Sequence, residues 1–121
     1  MNRALLTLVA CLFAVNTAVA QKEPVRVVEG AGEYLLSHVN LPAGGTGSLG
    51  LKPCATCSTQ SLHVTAATQY HVNASQVAFA DFAAVVAELR KANADEHTMV
   101  SLFIDRASHE VTRIYVYKPA Q

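Results

Sequence analysis

Tryptophan is absent from this chain of 121 residues, and only 15% of the residues are charged, against about a quarter in ordinary globular domains. The nine basic and nine acidic side chains cancel. That balance excludes a disordered acidic or basic chain and a long charged coiled coil. No internal repeat, collagen-like period or low-complexity tract is present. Beyond the N-terminal stretch, no apolar run approaches the ~20 residues of a membrane-spanning helix. Enzyme motifs are missing as well. No serine lies in a Gly-x-Ser-x-Gly context, and no His-Glu-x-x-His occurs. Gly44-Gly45-Thr46-Gly47 lacks the following Lys and helix that a phosphate cradle requires. His38, His97 and His109 have acids and serines in the chain, but no nucleophile, base and orienting group can be assembled from their spacings. A non-catalytic protein without a cofactor is the expectation.

The N-terminus carries a positive start, Met1-Asn2-Arg3. An apolar stretch follows from Ala4 to Val15, interrupted by Thr7, and Ala18-Val19-Ala20 precedes Gln21. A charged start, a short apolar core and a small-x-small cleavage site describe an export signal. Residues 1–20 are therefore expected to be a signal peptide cleaved after Ala20, which sends the protein to the periplasm or outside the cell. Two rival readings are an uncleaved anchor, for which the apolar run is short, and a lipid-anchored start at Cys11. The sequence Leu8-Val9-Ala10-Cys11 resembles a bacterial lipobox, but the apolar run continues past it. Loss of Arg3 leaves eight basic against nine acidic groups, a net charge of −1. So small a charge offers little attraction to phosphate, so nucleic acid is not an expected partner. The mature chain contains no membrane span.

Periodicity organises the rest. Val25-Arg26-Val27-Val28-Glu29 is rich in β-branched residues and reads as a short strand. Glu33 to Leu41 fits a helical face or a strand equally well. Pro42 to Gly47 is a loop. Leu49 and Leu51 alternate with small or polar neighbours, and Leu62, Val64 and Ala66 alternate with Ser61, His63 and Thr65. The two runs predict a hairpin whose turn contains Cys54-Ala55-Thr56-Cys57. Thr68 to Val72 continues in strand style before a turn at Asn73-Ala74-Ser75. That triplet also matches a glycosylation sequon, which is discounted in a chain read as bacterial. Phe79, Phe82, Val86 and Leu89 recur at helical spacing, with Asp81 early and Arg90 and Lys91 late, which predicts a helix over about 79–92. Asn93 is its expected left-handed stop. Thr98–Ile104 and Glu110–Tyr117 predict a second hairpin.

Residues 21–46 thus form an N-terminal strand and Gly-rich loop, and residues 47–118 a small β-rich domain. The expected class is α+β, mainly antiparallel β. It would be a small barrel or strongly curved sheet of about five strands, with the helix after the third. From Gly47 to Lys118 the element order resembles an OB-type barrel. The segment from Val25 to Leu41 would have to add to an edge.

Two features could carry function. Once Cys11 leaves with the signal, Cys54 and Cys57 form an even count in an oxidising compartment, which favours a disulfide. A β-turn brings positions i and i+3 close enough for the bond. A reactive redox pair would need a helix N-terminus to stabilise its thiolate, and here the following residues read as strand. A metal site would need His63 and His71, expected on the polar faces of adjacent strands, to join the two cysteines. The second feature is a cationic and aromatic stripe, Arg113, Tyr115, Tyr117 and Lys118, on the last strand, with Arg113, Tyr115 and Tyr117 as its candidate binding face. Tyr and Arg favour contact surfaces, so the stripe could bind an envelope protein, a peptide or a glycan. Its alternative role is to cap the barrel with wet hydroxyls.

Overall fold

The computed structural model describes residues 29–119. The expected signal peptide, its cleavage site and nearly all of the strand at Val25–Glu29 lie outside that range. Within it the chain is mostly β, a curled, half-barrel sheet with a single helix. The strands are β1 (Glu29–Leu35), β2 (Val39–Asn40), β3 (Gly47–Leu51), β4 (Gln60–Val72), β5 (Ser75–Val77), β6 (Met99–Asp105) and β7 (Glu110–Val116); the helix is α1 (Phe79–Lys91). The sheet order is β1-β6-β7-β4-β3-β2, and β5 pairs with β4.

Both expected hairpins form. β3 pairs antiparallel with β4, Leu49 opposite Leu62, and β6 pairs antiparallel with β7, Leu102 opposite Ile114. Three expectations need correction. The described residues hold seven strands rather than about five. The sheet is mixed, because β4 and β7 run parallel, Tyr70 beside Ile114 and His71 beside Tyr115. Counted from Gly47 the helix does follow the third strand, β5, but the runs around Leu62 and Tyr70, expected as two strands, are one, β4. Its register with β7 shifts between Val64 and Gln69. There the Thr65 amide donates to the Thr68 hydroxyl, which in turn donates to the Val111 carbonyl. An irregularity satisfied by threonine hydroxyls breaks the alternation without ending the strand.

The ambiguous segment Glu33–Leu41 divides into strand, a 3₁₀ turn at Leu36–His38, and strand. β1 lies at one edge of the sheet and β2 at the other, so this segment does add to an edge, and in fact to both. Leu36 and Val39 point into the core. Arg90 from the end of α1 donates to the Leu36 and Val39 carbonyls, tying the helix to the connection. At the other end of the helix, Phe79 and Phe82 pack against Tyr70, whose hydroxyl donates to the Gly45 carbonyl at 3.2 Å. Gly45 has a φ of +79°, and a Cβ there would come within 2.8 Å of the Phe79 ring. Only glycine fits both demands. Asn93 stops the helix with a φ of 55°, a conformation asparagine tolerates. Phe82, Val86 and Leu89 join Leu49, Leu62, Val64, Leu102, Ile114 and Val116 in one core beneath α1.

Candidate binding face

Strand alternation sends neighbouring residues to opposite faces of the sheet. In β7, Val111, Ile114 and Val116 face the core, while Arg113 and Tyr115 face away from it. In β6, Leu102 faces the core while Ser101 and Phe103 face away. The register places Phe103 beside Arg113 and Ser101 beside Tyr115. From the parallel side, β4 brings His71 beside Tyr115. The outward residues of three strands therefore meet on the face opposite α1.

They form a continuous ring system. His71 stacks on Tyr115, with centroids 4.2 Å apart and planes at 7°. Phe103 meets Tyr115 edge-on at 5.6 Å, and Tyr117 lies near-parallel to Tyr115 at 6.4 Å. The Arg113 guanidinium sits 4.0 Å above the Phe103 ring, within the range of a cation–π contact. Tyr117 is 44% exposed, the most open of these rings. The Ser101 hydroxyl, buried beneath, donates to the Tyr117 hydroxyl at 3.2 Å. Both ring nitrogens of His71 are buried without a hydrogen-bond partner.

Glu29 of β1 completes the face. Its carboxylate accepts from the Thr112 hydroxyl and, at 3.1 Å, from Arg113. These bonds, Thr112's first, hold the Glu29 carboxyl below the usual carboxylate range, against opposing desolvation and the charge of Asp105. The same Glu29 bond is the main cause of the upward shift of Arg113. Arg113 is thus held over Phe103 with its charge already matched.

The structure therefore brings Arg113, Tyr115 and Tyr117 together, and adds Phe103, His71, Ser101 and Glu29, which the reading of the last strand alone missed. One signal was available for Phe103. It is a large aromatic at a position out of phase with Val100, Leu102 and Ile104.

The cysteines lie elsewhere. Cys54 and Cys57 stand at disulfide-bonding distance in the β3–β4 loop, with Cα atoms 5.0 Å apart. The Cys57 amide donates to the Cys54 carbonyl at 3.1 Å, closing the turn. The residues after Cys57 lead into β4, and no helix begins there. His63 and His71 do not share a site with them. Both belong to β4 rather than to adjacent strands, and at about 3.3 Å per residue they are separated by roughly 20 Å or more. Among the described residues, no three His, Cys, Asp or Glu side chains converge as a metal site. None of the described helices is long and apolar enough to cross a membrane.

The chain matches no family model, no curated protein and no solved structure.

Proposed function

We propose that this protein is a small exported, non-catalytic domain of the cell envelope that engages a partner through the face built from His71, Phe103, Arg113, Tyr115 and Tyr117. The observation that carries this reading is the ring system itself. Aromatic side chains on an outward sheet face are ordinarily covered by a second layer, and α1, the single described helix, packs on the other side. Aromatic and arginine side chains gathered in one patch are the composition of a contact surface. Export is supported by the N-terminal pattern and agrees with a cysteine pair at bonding distance.

The fold is read as an OB-type barrel. β1, the 3₁₀ turn and β2 act together as one bent first strand, pairing β6 with the first half and β3 with the second. OB-type domains commonly bind on the outer face of their second and third strands. Here the paired parts of those strands, β3 and the first half of β4, present Ser48, Gly50, Ser61 and His63, which include no Phe or Tyr side chain, and β4 contributes only His71 to the ring system. The contact surface is centred instead on β6 and β7. A thiol-redox or metal role for Cys54 and Cys57 has less support, since the pair lies in a hairpin loop without a helix dipole to stabilise a thiolate.

The test is photo-crosslinking in intact cells from a probe placed beside Tyr117, with the wild-type chain and a Tyr115→Ser, Tyr117→Ser variant. A discrete adduct that the double variant loses, while its amide spectrum stays native, is expected. An adduct unaffected by both changes overturns the reading. Export is tested in the same cells. Mature protein beginning at Gln21 is expected in the envelope fraction, and intact precursor in the cytosol with both sulfurs freely alkylated would refute it.

A further inference from the structure

Next to the ring system lies a trough of about 360 Å³ lined by Ala31, Gly32, Glu33, Ser101, Phe103 and Tyr117. Small side chains leave its floor open. Phe103 and Tyr117 stand along it, and the Ser101 hydroxyl bond helps to fix Tyr117 in place. Glu33 is its one charged lining residue. It is exposed, and it makes no ion pair among the described residues. Glu29, by contrast, is occupied by Arg113. Among the described residues, the trough therefore presents an unmatched negative charge beside aromatic rings.

We propose that this trough receives a cationic side chain, arginine or lysine, from the surface of a partner protein. The inference rests on the reading of the outer face as a contact surface and names the chemistry of what docks there. The same strands already hold one example of the arrangement. Arg113 lies over Phe103 with Glu29 at its side, and Tyr117 with Glu33 repeats the ring and carboxylate without the cation. An aromatic face and a carboxylate attract a guanidinium or ammonium group for the same electrostatic reason. A glycan fits less well. Sugar rings stack on bare aromatic faces, but His71 occupies a face of Tyr115 and Arg113 a face of Phe103. Tyr117 remains as the one open platform, too little for a saccharide chain.

The experiment is a heteronuclear NMR titration of the exported chain with Nα-acetyl-arginine amide, run beside a neutral trisaccharide. Arginine is expected to shift the resonances of Glu33, Ser101 and Tyr117 saturably at millimolar concentration. Glu33→Gln should weaken the effect by about fivefold, the scale of one exposed charge pair, and added salt should weaken it further. Tyr117→Leu should reduce it while the remaining amide spectrum stays native. Arginine shifts that are absent, or that persist unchanged in Glu33→Gln, overturn the proposal. Trisaccharide shifts without arginine shifts also overturn it, yet leave the outer face standing as a contact surface. Failure of that broader reading shows separately, as an in-cell adduct indifferent to Tyr115 and Tyr117.

Discussion

On the helix-covered side of the sheet, Leu102, Ile114 and Val116 lose all contact with solvent, whereas their immediate neighbours Phe103 and Tyr115 remain only partly buried. The two faces share the same strands and the same backbone hydrogen bonds, so their difference lies in the side chains. Inner positions need apolar volume that fills the space under α1. Outer positions need particular groups, because rings stack on rings there and a guanidinium meets a matched carboxylate. Stability should therefore follow the inner face, and recognition the outer one.

That contrast can be broken from the inside first. Ile114→Ala, in the centre of β7 and fully buried, is expected to cost about 2–5 kcal/mol through lost transfer energy and the cavity left behind. Urea unfolding monitored by circular dichroism measures it. A loss below about 1 kcal/mol would mean the inner face is not the close-packed core described.

The loop between β3 and β4 gives the next largest effect. Replacing Cys54 and Cys57 together by Ser should lower stability by about 2 kcal/mol or less, because so short a loop restrains little chain entropy. Crosslinking through the Tyr117 face should be unchanged. Unaltered stability with loss of the adduct would move the function from the rings to the cysteines.

Tyr70→Phe keeps the packing against Phe79 and Phe82 but removes the hydroxyl bond to Gly45, and should cost about 0.5–1.5 kcal/mol. Burial raises the Tyr70 pKa above its ordinary value. The stability tied to its neutral form is complete below that ordinary value and is lost as pH rises through the raised one. The variant should lack this alkaline loss, which urea midpoints across the alkaline range will reveal.

The smallest effect belongs to the outer face. Glu29 and Arg113 are 36% and 35% exposed in their side chains, so solvent screens their pairing, and Glu29→Gln should cost no more than about 0.2–1 kcal/mol. Because the folded Glu29 pKa is lowered, this contribution is complete above the ordinary carboxylate value. It disappears as pH falls through the lowered one. The difference between wild type and variant should therefore vanish in acid, and a difference that persists there would refute the assigned cause.

Much of the architecture was legible because it is local. The stripe Phe79, Phe82, Val86 and Leu89 placed the helix to within a residue or so, and alternation placed both hairpins. Two strand ends were misread for physical reasons. The threonine-stabilised irregularity in β4 interrupts the alternation, so one strand looked like two. In β1, glycine at positions 30 and 32 weakens the strand signal, although Gly32 has a packing role: a Cβ there would fall 2.4 Å from the Tyr34 hydroxyl. The ring system was half legible. Arg113, Tyr115 and Tyr117 announced themselves along one strand, but Phe103 and His71 reach it only across the sheet.

Periodic burial and turn chemistry depend on a few neighbouring residues, so the chain alone determined the two hairpins, where the helix lies and where the cysteine turn falls. Pairing depends on contacts between segments far apart in the chain. Only the folded sheet could decide that β4 runs parallel to β7, that β1 and β2 occupy opposite edges, and that Glu33 shares a trough with Tyr117. Many registers satisfy the same alternation, and the one adopted is selected by how all the strands fill a single core beneath one helix.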